Sequence, residues 1–295
     1  MNEYHTSVLL NEAIESLQVS KGKKYIDATL GGGGHSFEIV KRGGSVLGID
    51  VDEEAISFVF SIKYKVLSSN EKDLGLARGN FRNIKKIAEE KGFEKVSGIL
   101  FDLGVSSHQL DAGERGFSFQ KDAPLDMRMG KNLGVTAADL VNSLGKGELH
   151  ELFTKFGEET YARPIIAGII RARGIKKIET TKELANIVAK AHPRKIGKIH
   201  PATKVFQALR IIVNDELNNV KEALPQAVEL LESKGRLVVI SFHSLEDRIV
   251  KQTFIDLQDQ QKGEVITKKP LYATDIETQQ NNRSRSAKLR IFEKK

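Results

Sequence analysis

Asp27, the four consecutive glycines at positions 31–34, His35 and Asp50 are the densest chemical signal in this 295-residue sequence. The run Tyr25-Ile26-Asp27-Ala28-Thr29-Leu30 reads as a buried strand and ends in the glycines. A helical pattern (Phe37, Ile39, Val40) follows, and a second apolar run, Leu47-Gly48-Ile49, closes on Asp50. Glycine lets a chain turn sharply and approach a ligand with no Cβ in the way. An acid at the tip of the second strand, roughly 20 residues on, is placed to accept from a pair of ribose hydroxyls. A dinucleotide site would need G-x-G-x-x-G, but the third glycine position here is Ser36, and no phosphate-cradling G-x-x-x-x-G-K-[ST] occurs. A turn opened by Asp27 would repel a pyrophosphate and suits a cofactor with sulfonium and ammonium groups. S-adenosylmethionine is therefore the expected ligand.

Strands are predicted over 24–30, 45–50, 76–81, 98–103 and 236–242, with helices over 36–41, 53–66 and 84–91 separating the first four. This alternation implies an α/β fold, a doubly wound, mostly parallel Rossmann-like sheet. Ligands of such sheets gather at the carboxyl ends of the strands. Those ends hold Asp27, Asp50, Phe81, Asp102 and His243. Phe81 is a candidate to pack on an adenine, and plain core is an equal reading. Asp102 ends the apolar run Gly98-Ile99-Leu100-Phe101, and a buried carboxylate needs partners. Ser244 heads a helix start as its cap, leaving His243 at the functional edge.

More than 130 residues separate the fourth and fifth strands, far beyond a crossover of about a dozen. The expected division is a first core part over 1–105, an inserted, mainly helical domain with a basic surface over 106–202, and a second core part over 203–295. Within the insertion, helices are predicted over 137–144, 148–156, 162–172 and 181–192, the last with Thr180 and Glu183 as a capping box. A helix over 203–233 should feed the fifth strand, with Pro225 marking a break. The stretches 111–130 and 192–201, dense in glycine, proline and charge, are predicted to be ligand-contacting loops. Segments near 265–269 and 287–292 should pair antiparallel at the far edge of the sheet.

There is no cysteine, so thiolate metal sites and cysteine-initiated methylation of a pyrimidine C5 are excluded. Any methyl acceptor should already be a nucleophilic nitrogen or oxygen. No metal is expected. The net charge is +7, unevenly spread: residues 160–210 carry +10, residues 281–295 carry +5, and the remainder −8. Two concentrated basic segments suit a surface that faces phosphates. No apolar run of about 20 residues and no signal peptide is evident, so a cytoplasmic protein is expected.

The chain resembles the bacterial 16S ribosomal RNA cytosine-N4 methyltransferases along essentially its whole length. The resemblance rests on His5-Thr6-Ser7-Val8-Leu9-Leu10, the 27–36 glycine loop, Gly98 to Ser107, Glu114-Arg115-Gly116-Phe117-Ser118-Phe119 and Pro124-Leu125-Asp126-Met127-Arg128-Met129. It continues through Val205-Phe206-Gln207-Ala208-Leu209-Arg210, Val213-Asn214-Asp215-Glu216-Leu217, Ile240 to Arg248 and Arg285 to Arg290. It implies an S-adenosylmethionine-dependent enzyme that methylates N4 of one cytidine in the decoding centre of the small ribosomal subunit. The family's cofactor positions map onto Gly33, Gly34, His35, Asp50, Phe81, Asp102 and Gln109, to which the residue reading adds Asp27. Asp102 is expected nearest the reaction, with Asp126 or His243 to hold the base or take the proton. Where relatives commonly read S-S-P-Q-L, this chain has His108 in place of the proline. Amino-methylation of DNA or another RNA, a non-catalytic ribosome-assembly factor, and a homodimer stay open.

Overall fold

The computed structural model describes residues 7–106, 109, 115–130, 133–192 and 200–295. His5, Thr6, Ser107, His108 and residues 110–114 and 193–199 of the expected motifs and loops lie outside the described residues. The chain forms two compact units, residues 1–106 with 217–295, and residues 107–216.

The first unit is built on a seven-stranded sheet in the order β3-β2-β1-β4-β5-β7-β6. Its strands are β1 (Lys24–Asp27), β2 (Ser45–Asp50), β3 (Leu74–Arg78), β4 (Val96–Asp102), β5 (Leu231–Ser241), β6 (Gly263–Val265) and β7 (Lys288–Lys294). The first five run parallel, β7 lies antiparallel to β5, and β6 antiparallel to β7, as the sequence pattern implied. Helices α1 (Leu10–Leu17), α2 (Gly34–Lys41) and α3 (Glu53–Leu67) cover one face through Ile14, Leu17, Ile39, Val40 and Val59. Helices α4 (Ile84–Glu90), α10 (Glu216–Leu230) and α11 (Ser244–Asp259) cover the other through Ile84, Ala88, Leu224, Val228, Val250 and Phe254. Near-continuous apolar strands such as Ile99-Leu100-Phe101 are what a sheet buried on both faces requires.

The chain leaves β1 and moves to β2 and β3 on one side, then to β4 and β5 on the other. The switch point thus lies at the carboxyl ends of β1 and β4. Strand β1 stops at Asp27 rather than continuing to residue 30, because the Asp27 carboxylate accepts the Thr29 N–H at 3.2 Å and turns the chain. Likewise β3 ends at Arg78, before residue 81, and the Asn80 side chain caps a short turn over Phe81–Asn83 by accepting from the Arg82 N–H at 2.9 Å.

In the second unit, α5 (Ala137–Ser143), α6 (Lys146–Lys155), α7 (Ala162–Arg173), α8 (Thr181–Ala191) and α9 (Ala202–Asn214) bury Val141, Phe153, Ile165, Ile169, Leu184, Val188, Val205 and Leu209. The capping box of α8 is present: Thr180 Oγ1 accepts the Glu183 N–H, and the Glu183 carboxylate accepts the Thr180 N–H. Helix α9 packs on α6, α8 and α5. The unit consequently runs to Glu216, where the sequence put its end at 202. The long helix expected over 203–233 breaks at Asp215, in the left-handed conformation (φ 52°), while Pro225 sits inside α10. A proline removes one helix hydrogen bond; it does not have to end the helix. Sequence inspection missed α1 and the short α12 (Asp275–Gln280), which meet where the Leu9 N–H donates to Glu277 Oε1 at 2.8 Å.

Candidate cofactor site

Three carboxylates stand at the carboxyl ends of β1, β2 and β4. Asp27 is fully buried; Ser36 Oγ donates to its Oδ2 at 2.7 Å. Burial nevertheless pushes its pKa up to about 6, against the bonds from Ser36 and the Thr29 N–H. Asp50 accepts the Gly31 N–H on Oδ2 at 2.8 Å and the Asp52 N–H on Oδ1 at 2.9 Å. Its pKa also rises to about 6, chiefly through burial, with the Asp52 and Asp27 charges adding to the rise. A carboxylate oxygen accepts two bonds, so both Asp50 oxygens keep capacity for hydroxyl donors.

Asp102 is held through its backbone, whose N–H donates to Thr29 Oγ1 at 2.6 Å. Its Oδ1 is buried and has no hydrogen-bond partner among the described residues. Its Oδ2 lies 3.9 Å from His35 Nδ1, and His35 Nε2 faces the Val8 carbonyl at 3.2 Å. Burial, then the Asp27 and Glu246 charges, raise the Asp102 pKa well above the ordinary carboxylate range. The glycine turn supplies the close approach. Gly33 caps α2 with φ +78°, and a Cβ there would lie 3.0 Å from the Phe37 ring and 3.1 Å from Val59; one on Gly34 would overlap Ser7 Oγ at 2.1 Å.

Among the described residues no lysine or arginine pairs with these three acids. A pyrophosphate does not fit such a field. The cationic groups of S-adenosylmethionine do, and Asp102 Oδ1 is the buried acceptor whose hydrogen bonding is most plainly unmet. Phe81 is half-buried and meets the Phe101 ring edge-to-face at 5.5 Å, so part of it is core.

The remaining expected residues divide as follows. The N-cap of α11 is His243 and not Ser244: His243 Nδ1 accepts the Glu246 N–H at 3.4 Å. Its Nε2 lies 3.3 Å from Glu246 Oε1 without hydrogen-bonding alignment. Glu246, which accepts the Phe242 N–H at 2.9 Å, escaped the sequence reading. The signal was present, since an acid three residues after a cap is half of a capping box. Gln109 and Asp126 belong to the second unit, where Gln109 is buried. Both Asp126 oxygens are gripped at 2.7 Å by Arg128, Nε on Oδ1 and Nη2 on Oδ2. Burial raises its pKa, yet the Arg128 bonds prevail and hold it below the ordinary value. A carboxylate so engaged is a weak base; its geometry suits anchoring Arg128.

The same unit carries the larger basic segment. Arg173 is spent on the Val141 and Leu144 carbonyls, Lys176 on Glu183, and Arg210 on Glu216. Arg163, Arg171, Lys182 and Lys190 are exposed and have no acidic partner among the described residues. No helix among the described residues is long and apolar enough to cross a membrane.

Among solved structures, the chain is similar to an rRNA methylase from Streptococcus thermophilus, at 12% identity and TM-score 0.47 over 98% of this chain and 97% of that one. Another, from Streptococcus mutans and described as a methyltransferase in complex with SAH, is 15% identical with TM-score 0.45, over 98% and 99%. The Ribosomal RNA small subunit methyltransferase H of Carboxydothermus hydrogenoformans is 46% identical over 98% of this chain and 97% of its own length. The family model described as the MraW methylase family matches residues 2–295. This protein belongs to the MraW methylase family of S-adenosylmethionine-dependent methyltransferases.

Proposed function

We propose that the protein transfers a methyl group from S-adenosylmethionine to N4 of a cytidine in the decoding centre of 16S ribosomal RNA, within the small ribosomal subunit in the cytoplasm. The observation that carries the substrate class is the 46% identity, over nearly the full length of both chains, with a small-subunit ribosomal RNA methyltransferase. The absence of cysteine supports an exocyclic nitrogen over pyrimidine C5.

When bound, the cofactor supplies an electrophilic methyl on a sulfonium. Asp50 would hold its ribose hydroxyls, the backbone at Gly33 and Gly34 would give it room, and Asp27 and Asp102 would favour its positive charge. Cytosine N4 is a poor nucleophile because its lone pair is delocalised into the ring. An oxygen such as Asp102 Oδ1, accepting an N4 hydrogen, would favour pyramidal nitrogen, aim the lone pair and take the proton that N4 sheds as the methyl–sulfur bond breaks. Alignment of that kind supplies most of the acceleration. Asp126 would act by fixing Arg128, and His243 by fixing the start of α11. The inserted unit, through Arg163, Arg171, Lys182 and Lys190, would hold RNA phosphates.

The test is transfer of labelled methyl to unmodified small subunits, naked ribosomal RNA and duplex DNA, with nucleoside analysis of the products. N4-methylcytidine confined to the ribosomal substrates is the expected result. No transfer to any of the three, with cofactor still bound, would overturn the enzymatic reading and leave a cofactor-holding assembly factor.

A further inference from the structure

His35 is buried beside Asp102, and its surroundings fix where its protons can lie. The Val8 carbonyl can only accept, so the Nε2 that faces it at 3.2 Å is the protonated nitrogen. Nδ1 is thereby turned toward Asp102 Oδ2 at 3.9 Å, beyond a direct hydrogen bond and within reach of one bridging water. The other charged groups that bear on Asp102 are Asp27 from β1 and Glu246 from α11, both acids. Neither can stabilise an ionised Asp102. Among the described residues, His35 is the basic group that stands within 4 Å of the Asp102 carboxylate.

We propose that His35 is a positioning residue that takes the proton of Asp102 when a cationic ligand group is seated against Asp102 Oδ1. Without ligand, the buried and unpartnered Oδ1 and two acidic neighbours favour the protonated form of Asp102. When an ammonium group arrives, the Asp102 O–H bond breaks and an N–H bond forms at His35 Nδ1. The pair becomes carboxylate and imidazolium, and no proton is exchanged with water. His35 thus lets Asp102 become charged only in the loaded site. This inference rests on the cofactor reading of the site.

S-adenosylhomocysteine, which keeps the ammonium group and cannot be turned over, is the probe. Calorimetric titration between about pH 7 and pH 8, above the range in which Asp27 and Asp50 titrate, in buffers of different ionisation enthalpy, counts the protons released on binding. The wild-type protein is expected to bind with nearly constant affinity and to release close to none. His35→Gln keeps a donor for the Val8 carbonyl and has no second basic nitrogen. Its proton must go to water, so its affinity should rise with pH, by up to about tenfold per unit, with up to one proton released per ligand. Equal pH profiles and equal proton release in the two proteins would overturn the proposal. A second measurement needs no variant: in the wild-type protein, the NMR resonance of His35 Nδ1 should move to the protonated position on adding the probe, while Nε2 stays protonated. An Nδ1 that does not change would overturn the proposal as surely. Failure of the wild-type protein to bind the probe at all would instead sink the cofactor reading.

Discussion

Replacing Asp27 by asparagine should stabilise the cofactor-free protein at neutral pH. Asp27 is 1% exposed, and the bonds from Ser36 Oγ at 2.7 Å and the Thr29 N–H at 3.2 Å leave its carboxylate under-compensated. Its pKa stands at about 6 against an ordinary 3.8. Because the folded-state pKa is raised, the native protein binds a proton more tightly than the unfolded chain. The cost of the charge is absent below about pH 4 and complete above about pH 6. Roughly two pKa units at about 1.4 kcal/mol each give about 3 kcal/mol at pH ~7.5. Asparagine is isosteric and carries no charge; its oxygen can accept the Thr29 N–H while its amide N–H donates to the Ser36 hydroxyl oxygen. In urea denaturation without cofactor, the variant should gain up to about 3 kcal/mol at pH ~7.5, on the order of 5–10 °C in Tm, and draw level with wild type near pH 4. On the proposed cofactor reading, affinity for S-adenosylmethionine should fall at the same time, since one of the three acids at the strand ends is gone. A variant no more stable than wild type at pH ~7.5, or one whose gain persists unchanged at pH ~4, would refute the reasoning.

Asn214 donates to the Met127 and Arg210 carbonyls and accepts the Met129 N–H at 2.7 Å, so Asn214→Ala should cost about 2–4 kcal/mol in chemical denaturation by stranding buried backbone groups. Gly116 has φ +75°, and a Cβ there would lie 2.3 Å from the Pro124 carbonyl oxygen; Gly116→Ala should lower the thermal midpoint through at least about 2 kcal/mol of backbone strain. Converting Arg163, Arg171, Lys182 and Lys190 to glutamine should flatten the salt dependence of RNA binding by about one slope unit for each phosphate no longer neutralised, with S-adenosylhomocysteine affinity unchanged by calorimetry. His243→Ala should cost about 1 kcal/mol by removing the α11 cap, measured by urea denaturation.

What could be read from the residues was what depends on local pattern. The strand-glycine-helix-strand order located Asp27, Gly33, Gly34 and Asp50, and apolar runs located the strands that β1, β2 and β4 confirm. The capping box of α8 was legible because both partners lie within one turn. What escaped depends on residues distant in sequence. Helix α9 reads as part of a long helix because nothing in its own residues shows that it packs on α5, α6 and α8. The break at Asp215 went unseen because aspartate is only an occasional left-handed residue, whereas Pro225 is a conspicuous breaker that α10 absorbs. Neither Val8, which orients His35, nor Thr29, which holds the Asp102 backbone, looks chemical in isolation.

The inserted unit also sets a timetable for synthesis. Strand β4 ends at Asp102, and its partner β5 begins only at Leu231. At ribosomal rates that interval lasts on the order of ten seconds, during which the β4 edge of the nascent sheet has no strand to pair with. Strand β7, which sits between β5 and β6, is made after both, so β6 cannot join the sheet until Lys288–Lys294 has been synthesised. Early folding of residues 107–216 into their own helical core would shorten the span that this edge must wait across, turning a long insertion into a compact spacer while the core is still unfinished.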